Sequence, residues 1–93
     1  MTTAIVLIEA ERDALQTLGG VLADLDGVAE AYSVTGEWDF VAIVHLQRHE
    51  QLADVVARGM AKLPGVVRTQ TMVAFEAFSR HDLEALFDVG GGS

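Results

Sequence analysis

The residues best suited to chemistry gather in one tight corner, Val34-Thr35-Gly36-Glu37-Trp38-Asp39. Gly36 suits a hairpin backbone that needs positive φ. Asp39 can accept N–H groups of its own turn or hold a bound cation. Trp38 can serve as an aromatic wall or as an anchor between subunits, and Glu37 is expected in solvent. Thr69 and Thr71 add two hydroxyls at strand spacing, although both residues also pack well across strands. His45 and His49 have a spacing that would serve a metal on a helix, but the first is expected on a strand and no third ligand is evident. His81-Asp82 reads as a helix start, since no nucleophile accompanies it. The sequence contains no phosphate-binding loop and no nucleophile elbow. The chemistry on offer is binding rather than catalysis.

The corner must be positioned by strands. Phe40 to Leu46 is a short apolar run, rich in β-branched residues and interrupted only by His45, and Ala4 to Ile8 is a second. Such runs predict strands covered on both faces. Val28 to Thr35 is a more polar strand that pairs with Phe40–Leu46 as a hairpin around the corner. Asp13 with Gln16 resembles a capping box and predicts a helix through Leu25, with Leu15, Leu18, Leu22 and Leu25 on one side. Gly19-Gly20 weakens that helix or marks a close backbone approach. A second helix is expected from Glu50 to Leu63, with Leu52, Val55, Val56, Gly59, Met60 and Leu63 as its apolar stripe. Val66 to Phe78 reads as the last strand, with Val67, Thr69, Thr71, Val73 and Phe75 facing opposite to Arg68, Gln70, Met72, Ala74 and Glu76. A short terminal helix from Ser79 through Phe87 follows, then a mobile tail at residues 89–93.

The order is βαββαβ, and Leu25-Asp-Gly-Val28 is echoed by Leu63-Pro-Gly-Val66. Right-handed crossovers then place both helices on one side of a four-stranded antiparallel sheet, a ferredoxin-like α+β fold. In that topology the first and third strands are central, and these are the two runs without alternation. Burying the other sheet face calls for a second copy, giving a dimeric α+β barrel. One domain, residues 1–88, accounts for the whole fold.

The net charge of −8 and pI near 4.5 argue against direct binding of nucleic acid or an anionic membrane. The absence of cysteine excludes disulfides, thiol catalysis and thiolate metal sites, and suits the cytoplasm. No apolar run approaches the ~20 residues of a membrane-spanning helix.

With these residues in view, the chain resembles the effector-binding (RAM) domain of the Lrp/AsnC (leucine-responsive/asparagine-operon) regulators over roughly residues 4 to 88. The resemblance rests on Val-Thr-Gly-x-x-Asp-Phe (34–40), Leu-Pro-Gly-Val (63–66) followed by Thr69-x-Thr71, and Phe-x-Arg-His-Asp-Leu-Glu (78–84). Full-length members carry an N-terminal helix-turn-helix. This sequence begins at strand one, so the resemblance implies a stand-alone version that does not itself contact DNA. It further implies face-to-face homodimers, their assembly into rings, association with full-length relatives, and small effectors, usually amino acids, bound between dimers. Carried over by position, the ligand-binding residues are Gly36, Glu37, Trp38 and Asp39 of the corner with Thr69 and Thr71. Asp39 would take an α-ammonium and the turn amides an α-carboxylate. No cofactor is implied. Two other functions share the topology: a small monooxygenase-like or haem-handling enzyme, where His45 and Trp38 would matter, and an ACT-type regulatory domain. The latter typically has a glycine turn after strand one, where this sequence has Glu9-Ala-Glu-Arg-Asp13.

Overall fold

The computed structural model describes residues 1–78. Four strands form one antiparallel sheet: β1 (Thr2–Ala10), β2 (Val28–Ser33), β3 (Phe40–Leu46) and β4 (Val66–Ala74), in the order β2-β3-β1-β4. The two apolar runs are the central strands, as their composition predicts. The β1–β3 register pairs Ala4 with Val44, Val6 with Ala42 and Ile8 with Phe40. These six residues point to one face and are buried, together with Leu46.

Two short helices, α1 (Leu18–Ala23) and α2 (Leu52–Val56), cover that face with the help of 3-10 turns at Arg12–Ala14, His49–Gln51 and Met60–Lys62. Leu18 and Leu22 of α1, and Met60 of the last turn, complete the buried core, with Leu25, Leu52, Val55, Val56 and Leu63 packed against it. Among the described residues this core holds no buried polar or charged side chain. Burial alone holds it together, at roughly 25 cal/mol per Å² of apolar surface removed from water.

The helices are shorter than their apolar stripes. The expected helix from Asp13 to Leu25 begins instead at Leu18, behind Thr17, and the Asp13–Gln16 capping box does not form. Leu15 therefore lies outside the helix and is exposed. Gly19 shows why so glycine-rich a helix is kept: a Cβ there would sit 3.2 Å from the Phe40 ring, so glycine lets the helix lie directly on the central strand. In the second segment only Leu52–Val56 is α-helical, and Gly59 leaves helical geometry at φ −103, ψ −81. The Arg48 N–H donates to Gln51 Oε1 at 3.1 Å and closes the entry to this segment.

β4 ends at Ala74 rather than Phe78, and β2 at Ser33 rather than Thr35. A bulge opposite Glu9 and Ala10 takes Val67 out of the pairing, and a second removes Ala29 from the β2–β3 register. Between Arg68 and Ala74 the expected alternation holds. Thr69, Thr71 and Val73 pair with Ile8, Val6 and Ala4 on the helix side, and Arg68, Gln70 and Met72 with Glu9, Leu7 and Ile5 on the opposite side. The expected terminal helix and the tail lie outside the described residues.

The opposite face carries Ile5 and Leu7 of β1 beside Ile43 and Val41 of β3, flanked by Met72 of β4 and Tyr32 of β2. No element among the described residues covers it. Its central residues are half-buried only by their neighbours within the sheet.

Candidate functional site

The corner between β2 and β3 lies at the end of this open face. Gly36 has φ +110, which a side chain would resist, and no atom lies within 4 Å of where its Cβ would be. The glycine serves the backbone path and not a packing contact. Asp39 fastens the corner to β1. Its Oδ2 accepts the Ala10 N–H at 2.8 Å, and its own N–H donates to the Ile8 carbonyl at 3.0 Å. The Asp39 carbonyl in turn accepts the Val34 N–H at 3.0 Å, closing the loop on itself. A charged acceptor for a partly buried N–H is among the stronger hydrogen bonds a protein makes.

The register delivers a cation to this corner from β4. Arg68 stands opposite Glu9, donates from Nε to Glu9 Oε1 at 2.5 Å, and donates from Nη2 to Glu37 Oε2 at 3.2 Å. Its guanidinium carbon lies 4.3 Å from the centroid of the Trp38 ring, within cation–π distance. The hydrogen bond to Glu9, followed by that to Glu37, raises the Arg68 pKa above its ordinary value, so the charge is permanent. Arg68, Glu9, Glu37 and Trp38 thus form a mixed-charge cluster around one half-buried aromatic ring.

Thr69 and Thr71 lie on the other side of the sheet from this cluster, and a single chain does not bring all six expected residues together. Thr71 lines an apolar hollow of about 380 Å³ with His49, Leu52 and Val56 of the helical segment. His45 sits on the open face with Nδ1 3.1 Å from Thr3 Oγ1. It lines a separate hollow with Asp26 and Gln51, so His45 and His49 do not converge. Among the described residues no three His, Cys, Asp or Glu side chains are grouped as metal ligands, and no helix is long and apolar enough to cross a membrane. His81 and Asp82 lie outside the described residues.

Arg68 is a member of the mixed-charge cluster that sequence reasoning left out. It stands 30 positions from Trp38 in the sequence, and only the β1–β4 register places it beside the corner. The available signal was Arg68 itself, one of six basic residues in an acidic chain, immediately before the expected Thr69-x-Thr71 pair.

A four-stranded antiparallel sheet with helices on one face and the other face open defines a small ferredoxin-like α+β module. Residues 3–83 match the family model of the Lrp/AsnC ligand binding domain, and the chain belongs to that family. An uncharacterized HTH-type transcriptional regulator of Pyrococcus furiosus is 36% identical over 77 residues, 80% of this chain and 51% of the relative. The chain spans about half the length of the curated relatives it matches. The crystal structure of TTHA0845 from Thermus thermophilus superimposes with a TM-score of 0.81 at 50% identity, covering 86% of this chain and 100% of that one. At the level of fold alone, the chain also matches the transcriptional regulator NMB0573 of Neisseria meningitidis, solved as an L-Met complex. That match has 15% identity and a TM-score of 0.76, and covers 85% of this chain and 53% of the regulator.

Proposed function

We propose that this chain is an effector-binding module of transcriptional regulation that takes an amino acid or similar small zwitterion in a crevice completed by self-association. The observation that carries the reading is the open sheet face, apolar at its centre through Ile5, Leu7, Val41 and Ile43 and ending at the charged corner. Uncovered apolar area of this kind favours association. A second copy of the same sheet is the partner that a two-fold arrangement supplies. Dimers then assemble into a ring, or join full-length relatives, so that corners meet neighbouring subunits and Thr69 and Thr71 contribute from another chain. The family's place in regulators and the L-Met complex of the Neisseria protein support an amino acid as the effector class.

Sedimentation velocity and isothermal titration against the twenty L-amino acids test both halves. A dimer or larger particle is expected, with an interface burying about 1,200–2,000 Å² or more per dimer. A folded monomer at micromolar concentration removes the assembly. No heat from any amino acid removes the effector class.

A further inference from the structure

Resting on the reading of the corner as an effector site, we propose that Arg68 and Glu37 form its zwitterion clamp, Arg68 taking the effector carboxylate and Glu37 the ammonium beside Trp38.

The corner itself contributes two carboxylates, Glu37 and Asp39, and no cation, in a chain of net charge −8. A carboxylate ligand approaching those residues alone would be repelled. Arg68 supplies a positive charge there, 3.2 Å from Glu37 and stacked on Trp38. Asp39 is poorly placed for the ammonium role, because its Oδ2 already holds the Ala10 N–H and with it the junction to β1. That bond turns the Asp39 carboxylate toward β1 and holds it there. Glu37 carries no such duty among the described contacts.

The two anchors of Arg68 are unequal, and the inequality supplies an exchange. Glu9 lies directly across the β1–β4 ladder and has a side chain 37% exposed. Glu37 lies on the corner, bonds at 3.2 Å, and is 72% exposed. An incoming carboxylate therefore displaces Glu37 and leaves Glu9 in place. The planar guanidinium has five N–H donors, so it can hold Glu9 and a ligand carboxylate together. The released Glu37 remains beside the ligand and pairs with its ammonium. One ion pair is replaced by two, and no charge is left without a partner.

Ligands with one charge do not complete the exchange. An N-acetylated amino acid displaces Glu37 and then adds a second negative charge beside it. An amine without a carboxylate draws Glu37 from Arg68 and offers nothing in return. The clamp therefore selects free α-amino acids over both derivatives, whatever their side chain.

The test uses the intact chain and titrates the twenty L-amino acids into wild type, Arg68→Lys and Glu37→Gln. It then repeats the titration with the N-acetyl and decarboxylated forms of each amino acid that binds. Calorimetry gives affinity, and Trp38, the only tryptophan, reports the stacking by fluorescence. Arg68→Lys is expected to weaken binding at least about tenfold, because a lysine ammonium does not reproduce the planar stack and bridge. Glu37→Gln is expected to narrow the gap between amino acid and N-acetyl derivative to about threefold or less, having removed the repelling charge. Glu37 is exposed on a loop, so that variant stays informative even where an Arg68 substitution disturbs folding. An amino acid that binds wild type and Arg68→Lys equally overturns the clamp and leaves the effector site standing. So does a derivative gap that Glu37→Gln leaves unchanged. Failure of every amino acid to bind wild type overturns the effector site and the clamp with it.

Discussion

Gly65→Ala gives the sharpest test of how the two halves of the chain meet. Gly65 precedes β4 at φ +93, and its carbonyl accepts the Glu11 N–H at 2.8 Å, fixing the turn after β1 against the turn before β4. A Cβ there would lie 2.5 Å from the Ala14 Cβ. Two contributions follow. Holding an L-residue at this φ costs about 1–2 kcal/mol. The overlap must open by about 1 Å to reach ordinary carbon contact, and overpacking of this kind costs about 1–3 kcal/mol. The sum is about 2–5 kcal/mol, a large part of the roughly 5–15 kcal/mol that holds a domain folded. The thermal midpoint should fall by about 8–40 °C, at 4–8 °C per kcal/mol for a domain of this size. Two other glycines calibrate the result. Gly36→Ala meets no atom within 4 Å at φ +110, so only the dihedral contribution of about 1–2 kcal/mol applies. Gly20→Ala, in α1 with nothing within 4 Å, should stabilise by about 0.5–1 kcal/mol. Urea and thermal unfolding at one fixed protein concentration measure the series, because association would otherwise shift the midpoints. If Gly65→Ala were no more damaging than Gly36→Ala, the close approach of Ala14 would be refuted.

Three further perturbations address the site and the open face. Asp39→Ala should destabilise by about 1–3 kcal/mol in urea unfolding, because the Ala10 N–H loses its acceptor, and Asp39→Asn by less. Ile43→Lys should leave the subunit folded but dissociate it. Ile43 is already half-buried within its own sheet, so losing it from each of two symmetric subunits forfeits about 1.5–3 kcal/mol of association, about tenfold to a hundredfold in dissociation constant by sedimentation; an unchanged dimer would show the face plays no part. Tyr32, the only tyrosine, donates to Glu30, and this bond first, then desolvation and the Glu30 charge, raises its pKa above the ordinary 10.0. A raised folded-state value means that the contribution to stability is complete below pH 10 and disappears as pH climbs through the folded pKa. Ultraviolet titration should place the Tyr32 transition above that of Glu30→Gln, and coincident curves would rule the bond out.

What the sequence reveals and what it hides divide along the range of the interaction. Ala4–Ile8 and Phe40–Leu46 are recognisable as central strands because a strand buried between neighbours needs no polar residue, and their neighbours in the chain suffice to show it. The turn itself is legible for the same reason, since Gly36 and the Asp39 carbonyl act on backbone within a few residues, but the bond of the Asp39 carboxylate to Ala10, 29 positions away, is not. Helix length is not legible. The apolar stripe from Leu52 to Leu63 correctly marks the residues that face the core, but periodicity records direction and not hydrogen-bond continuity. Gly59 departs from helical geometry while Met60, one residue on, is fully buried. Thr69 and Thr71 are legible as strand residues, and their face follows from alternation once the Val67 bulge is known. The partner of Arg68 does not follow from any local pattern. Glu9 lies 59 positions away and Glu37 31 positions away, and it takes the β1–β4 register to bring both carboxylates and Trp38 around one guanidinium. A shift of one residue in that register would send Arg68 to the helix side and leave the corner with carboxylates alone. The β-bulge opposite Glu9 and Ala10 lies where the pairing must hold Arg68 to the open face, so the backbone irregularity and the charge of the site are one feature of the fold.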